Sequence, residues 1–163
     1  MTDLNLKNVN PLLEFVGGVA VLIGLVFVGL ELRQNTSAVQ AATLQSITEQ
    51  SQEYLLLLAS DAEINEIWRQ GVAKPDELDE GQASRFTFLY RAQWIRFQNA
   101  FLQWRRGTLD DEDWAFYAGV ICRAHGDDGS PSARGSTWPD HKGALTAQFV
   151  NFVEDCWAQS TDR

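Results

Sequence analysis

The side chains best suited to chemistry lie between residues 122 and 141, in the stretches "CRAHGDDG" and "PDHKG". His125, Asp127 and His141 are of the types that hold zinc or iron, and they are the candidate metal ligands. Neither histidine has the i, i+4 spacing of a helical metal site, and loop carboxylates commonly cap helices or meet water. Cys122 lies three residues before His125, as in a nucleophile pair, but no third group that would orient the pair can be identified.

Other catalytic signatures are missing from the sequence. It contains no G-x-S-x-G, no H-E-x-x-H, no E-x-x-H pair and no kinase signature, and its glycine pairs lack the spacing of phosphate-binding loops. These observations favour a protein that is not an enzyme, and we assign no catalytic residue and no cofactor.

An apolar segment near the N-terminus has the length of a membrane span. Sixteen uncharged residues lie between Glu14 and Glu31, and a helix from Leu12 to Leu32 is about 31 Å long, against roughly 30 Å for a bilayer core. A signal peptide would need a basic start and a small-x-small cleavage site, which "VGLELRQN" does not provide. A buried core helix is the alternative. The sequence predicts an uncleaved transmembrane helix.

One face of this predicted span carries small residues. At about 100° per residue, one sector holds Glu14, Gly17, Ala20, Gly24, Val28 and Glu31. Small residues four apart let helix backbones approach closely in lipid. This face is therefore a candidate contact surface for a second copy or another membrane subunit. In the plainer interpretation, glycine is simply common in spans and both acids lie solvated at the headgroups.

The charged residues and the cysteines indicate which partners the chain can bind and on which side of the membrane its domain lies. The formal net charge of -9 argues against binding of nucleic acid and against a polybasic lipid-binding patch. The number of basic residues near the span is the same on both sides, with Lys7 on one and Arg33 on the other. The positive-inside rule therefore does not decide the orientation. Cys122 and Cys156 can pair once, but as free thiols they fit a reducing compartment, so we expect a cytoplasmic C-terminal domain.

The rest of the chain predicts helices only. Residues 31–59 contain no Gly or Pro, so the first helix either runs on or pauses at Asn35–Ser37. Ser60 and Glu63 form a predicted capping box for a short helix that ends at Gly71. No alternating strand pattern of convincing length appears. We expect an all-α protein with a tail and transmembrane helix in residues 1–34 and a bundle of about four to five helices in residues 35–163.

The clearest soluble helix covers residues 79–106, with Asp79 and Gln82 as its capping box and Gly107 after its end. One apolar stripe contains Phe86, Tyr90, Trp94, Phe97, Phe101 and Trp104. A second stripe, more than about 100° away, contains Phe88, Ile95 and Leu102, which predicts a helix in the middle of the bundle. Arg85 and Arg96 lie outside the main stripe and are expected to be solvated or paired with carboxylates.

Two further helices are predicted after Gly107. Asp110 or Asp111 caps the first, which runs to about Ala124. The last carries one apolar face with Leu145, Phe149, Phe152, Val153 and Cys156.

Four stretches carry a resemblance over nearly the whole chain: "LELRQNT", "LASDAEINEIWRQG", "FQNAFLQWRRGTLDDEDW" and "STWPDHKGALTAQFVNFVED". Together they resemble a large group of uncharacterised bacterial proteins with one N-terminal membrane helix and a small helical domain. The resemblance implies a single-pass protein of the bacterial inner membrane, and it assigns no catalytic residue.

Three functions are consistent with these observations. The first is a membrane-anchored, non-enzymatic interaction or accessory-subunit protein whose partners are the lipid bilayer and either itself or another membrane subunit. The second is a tethered sensor that holds a small apolar ligand between helix 79–106 and the C-terminal helix. The third is a metal-dependent enzyme that uses His125 and His141.

Overall fold

The computed structural model describes residues 9–124 and 137–161, with side chains for 13–124 and 137–159. These parts are all-α, as predicted, and contain no strand. The α-helices are α1 (Val9–Ser60), α2 (Ala62–Ala73), α3 (Glu80–Arg105), α4 (Asp111–Arg123), α5 (Trp138–His141) and α6 (Ala147–Thr161). Short 3₁₀ turns at Pro75–Glu77 and Lys142–Ala144 precede α3 and α6.

The first helix does not pause at residues 35–37. The hydroxyls of Thr36 and Ser37 donate to the carbonyls of Leu32 and Arg33, four residues back, rather than capping a new helix. The chain divides into two compact units, Met1–Val39 and Gln40–Arg163, so α1 contributes to both. The predicted end of the membrane segment at residue 34 stays a prediction, because this division reflects packing and not lipid contact.

The start and end of α2 differ from the prediction. Asp61, not Ser60, is the N-cap, and its carboxylate accepts hydrogen bonds from the amides of Glu63 and Ile64. Gly71 lies inside α2, buried against the ring of Phe86, and does not end the helix. A glycine that gives room to a neighbouring ring looks the same in sequence as one that ends a helix.

The largest element of the domain, α3, begins and ends as predicted. Asp79 and Gln82 form the reciprocal capping box, and Gly107 follows with a φ of 76°, which glycine adopts without strain. The main aromatic stripe is buried, with Trp104 partly exposed. The second stripe is covered only in part: Phe88 is 68% exposed and Ile95 is 51% exposed, whereas Leu102 is partly buried against the core. The expectation that this stripe lies inside the bundle is therefore wrong for Phe88 and Ile95.

The core of the second unit is a continuous set of aromatic rings around α3. Trp94 lies at its centre and contacts the rings of Tyr90, Phe97, Trp138 and Trp157. From α1, the buried side chains are Ile47, Tyr54 and Leu58. From α4 they are Trp114, Tyr117 and Ile121, and from α6 they are Phe149, Val153 and Trp157. Asp110 caps α4 through the amide of Asp113.

Candidate functional site

The predicted contact face lies in the first unit, on α1. Glu14, Gly17, Ala20, Gly24, Val28 and Glu31 are all exposed. A β-carbon added at Gly17 or Gly24 would meet nothing within 4 Å. The described part of the chain therefore leaves this face uncovered, and it remains a candidate contact surface.

By length and composition, α1 fits either a membrane span or a signal sequence near the N-terminus. Its apolar window has a mean hydropathy of 2.4, and none of that window is buried. Phe15, Leu22, Val26 and Phe27 each expose more than 60% of their surface. Among the described residues, one helix is long and apolar enough to cross a bilayer. Within the described residues this window is unburied, whereas the core helix of a soluble protein is mostly buried.

The three candidate metal ligands are not seen together. His125 and Asp127 lie outside the described residues, so the site stays a prediction. His141 belongs to the core: its Nδ1 lies 2.9 Å from the carbonyl oxygen of Thr137, and its ring meets the edge of Tyr90 at 5.3 Å. Within residues 9–124 and 137–161, no three His, Cys, Asp or Glu side chains are grouped as metal ligands.

The two cysteines are joined in a disulfide. Cys122 of α4 and Cys156 of α6 have their Cα atoms 5.3 Å apart, a separation typical of disulfides. Cys122 therefore has no thiol for the nucleophile pair considered with His125. The bond also removes the argument from free thiols, which was the reason for expecting a cytoplasmic domain.

The space between α3 and α6 is filled by side chains. Trp94 packs against Phe149 and Trp157 at ring-centre distances of 6.2 and 5.7 Å, and Phe101 packs against Phe149 and Phe152 at 5.5 and 5.6 Å. Rings at these separations are in ordinary core contact. The aromatic stripe therefore works as a core here, and this interface does not favour a ligand between the two helices.

Two apolar grooves open elsewhere in the second unit, and Arg96 lines both. The α1–α3 groove has a volume of about 700 Å³ and lies between Leu57 of α1 and Ile95 of α3. The α1–α4 groove has a volume of about 650 Å³ and lies between Leu55 and Phe116. Volumes of this order are those of small-molecule sites, roughly 300–1,000 Å³.

Arg96, which lines both grooves, is half-buried. Its guanidinium carbon lies 4.7 Å from the ring centre of Tyr54 and 5.2 Å from that of Phe97, and its Nη1 donates to the carbonyl of Ser51 at 3.3 Å. Burial lowers the pKa of the guanidinium, and the nearby phenols of Tyr54 and Tyr117 partly offset this effect.

Among the described residues, no carboxylate forms an ion pair with Arg96. Ion pairs among the described residues are made by Arg69, Lys74, Arg85 and Lys142. Both arginines were expected to be solvated or paired with carboxylates. Arg85 pairs with Glu63, whereas Arg96 is half-buried beside aromatic rings. Sequence reasoning missed this site because spacing along α3 does not show that Gln40–Ser60 covers one side of Arg96 with aromatic and backbone groups.

Comparison of the chain with protein-family models, with curated proteins and with solved structures gives no match.

Proposed function

We propose that the chain is a non-enzymatic, membrane-anchored helical protein of the bacterial inner membrane, which associates with itself or with another membrane subunit through its single span. The observation that carries this proposal is the uncovered apolar part of α1. Burying apolar surface away from water is strongly favourable. Within the described residues, no part of the protein covers the apolar side chains of α1, so their natural environment is the bilayer.

Continuity of α1 supports an uncleaved anchor over a removed signal. The helix extends from Val9 to Ser60 without an interruption where a cleavage site would follow the apolar run. The apolar run itself ends in "VGLELRQN", which is a poor cleavage sequence.

Self-association is proposed because the small-residue face of α1 is open. Gly17, Ala20 and Gly24 form a shallow surface on which a second helix can approach closely, and association in lipid depends on such packing. Glu14 and Glu31 lie at the two ends of this surface.

The experiment compares two substitutions in the full chain, solubilised in mild detergent and examined by analytical ultracentrifugation. Gly24→Leu places a bulky side chain on the small-residue face, and we expect dissociation to become easier by roughly tenfold. Gly29→Leu is the matched control, since Gly29 lies about 120° from the centre of that face. If both variants keep the size of the wild type, the contact face is not Gly17–Ala20–Gly24.

We further propose that the helical domain lies outside the cytoplasm. A disulfide between Cys122 and Cys156 forms and persists in an oxidising compartment such as the periplasm, whereas cytoplasmic thiols are kept reduced. Protease added to intact spheroplasts should digest the domain. Protection of the domain until the membrane is ruptured would contradict this orientation and restore the cytoplasmic one.

A further inference from the structure

We infer that the α1–α3 groove binds an amphipathic monocarboxylate, such as a fatty acid, with Arg96 holding its carboxylate and the apolar walls holding its tail. This inference concerns the second unit alone. It does not depend on self-association of the span.

The first support is the unbalanced charge of Arg96. A guanidinium offers five N–H donors, and the structure gives Arg96 one hydrogen bond, from Nη1 to the Ser51 carbonyl. Its Nε is buried without a hydrogen-bond partner in the described residues. Two aromatic rings partly stabilise the cation, but a half-buried charge without a counter-ion carries a desolvation cost that a bound anion would offset.

The second support is the composition of the groove beside this charge. Leu57, Ala92, Ile95 and Leu102 provide apolar walls next to the guanidinium. Gln50, Gln98 and Asn99 contribute amides to the same groove, and Glu53 is its one carboxylate. A groove that combines apolar side chains with one cation is matched by a ligand with an apolar part and one anionic head.

The choice of groove and ligand charge follows from the surrounding acids. The α1–α4 groove includes both Glu112 and Asp113, which would repel an anion. The α1–α3 groove is lined by one arginine and one acid, Glu53. Because Glu53 repels a dianion such as a phosphate monoester more strongly than a monoanion, a single negative charge is favoured. Arginine and carboxylate also form short, charge-assisted hydrogen bonds.

The test uses the full chain in lipid nanodiscs and a diazirine-bearing fatty acid, with its methyl ester as the uncharged control. After illumination, mass spectrometry locates the labelled peptides. We expect labelling by the acid in residues 50–57 and 92–102, at least tenfold stronger than by the ester. Labelling confined to the span would mean that the probe only partitions into lipid, and it would overturn the proposal, as would equal labelling by acid and ester.

Variants separate binding from a structural role of Arg96. Arg96→Gln should reduce groove labelling by the acid at least tenfold, whereas Arg96→Lys, which keeps the charge, should restore part of it. Arg91→Gln removes an exposed arginine of the same helix that does not line the groove, and it should label as the wild type does.

A further variant leaves Arg96 in place, so that its effect on labelling does not depend on whether the domain folds without Arg96. Ile95→Glu alters a half-exposed wall residue and adds a second acid to the groove, so it should abolish labelling while helix content by circular dichroism stays unchanged. Full labelling of a folded Ile95→Glu protein would overturn the assignment of the groove.

Discussion

The ring of Phe86 in α3 occupies the place where a β-carbon of residue 71 in α2 would lie. Gly71→Ala should therefore destabilise the domain by about 1–3 kcal/mol, because overpacking outweighs the better helix propensity of alanine. The free energy of unfolding is measured by chemical denaturation of the full chain in detergent, monitored by tryptophan fluorescence.

The control for that substitution is Gly119→Ala in α4. A β-carbon there would meet the flexible guanidinium of Arg123, with Nη1 at 3.3 Å, which can move aside. The free energy of unfolding should stay the same or rise by up to about 1 kcal/mol. If both alanine variants are stabilised alike, Gly71 does not give room to the ring.

Neighbouring phenylalanines of α3 should respond very differently to truncation. Phe86 is 2% exposed and Phe88 is 68% exposed. Phe86→Ala should lower the free energy of unfolding by about 3–5 kcal/mol, and Phe88→Ala should change it by no more than about 0.5 kcal/mol. A large loss in Phe88→Ala would mean that the second stripe is covered in the folded protein.

The disulfide should contribute measurably to stability. It joins residues separated by 34 positions, and closing a loop of this size in the unfolded chain is worth about 2–4 kcal/mol. We expect this loss in the Cys122→Ser/Cys156→Ser double variant and in the wild type with reductant. Reductant should not change the free energy of unfolding of the double variant. If reductant also leaves that of the wild type unchanged, the disulfide is absent.

Stability should fall in alkali because of two buried phenols. Burial raises the pKa of Tyr54 and of Tyr90 above the ordinary value; Arg96 partly offsets this at Tyr54, and a hydrogen bond with Trp94 does so at Tyr90. A folded-state pKa above the unfolded one means that unfolding releases protons. The stabilisation is therefore complete below about pH 10 and is lost as the pH rises further.

Each of these tyrosines should contribute a slope of about 0.7 kcal/mol per pH unit at about pH 10, which approaches about 1.4 kcal/mol per pH unit at higher pH. Denaturation curves recorded from pH 8 to pH 11 measure the combined slope of both tyrosines. Tyr54→Phe should reduce the slope by the share of one tyrosine, although it also removes the hydrogen bond to the Leu89 carbonyl. An unchanged slope would contradict a buried phenol at position 54.

Local sequence signals predicted those parts of the fold that depend on local physics. Asp79 with Gln82, and Gly107 after the helix, depend on backbone groups within a few residues, and the structure confirms them. The main stripe of α3 follows from helical periodicity alone. The class of the fold, all-α with an apolar first helix, follows in the same way.

Features that depend on distant contacts were not predictable in this way. The environment of Arg96 is created by Ser51 and Tyr54, about forty residues earlier in the chain. The pairing of Cys122 with Cys156 depends on how α4 packs against α6. Periodicity also cannot tell a covered apolar stripe from an open one, which is why Phe88 and Ile95 were placed inside the bundle.

The central claim is that the apolar segment of α1 stays in the mature protein as a membrane span. Intact mass spectrometry of the protein extracted from washed native membranes tests it directly. We predict a product that stays in the membrane fraction after alkaline extraction and whose mass still includes residues 1–34. A product that lacks residues 1–34, or full-length protein released by alkaline extraction, would contradict the account.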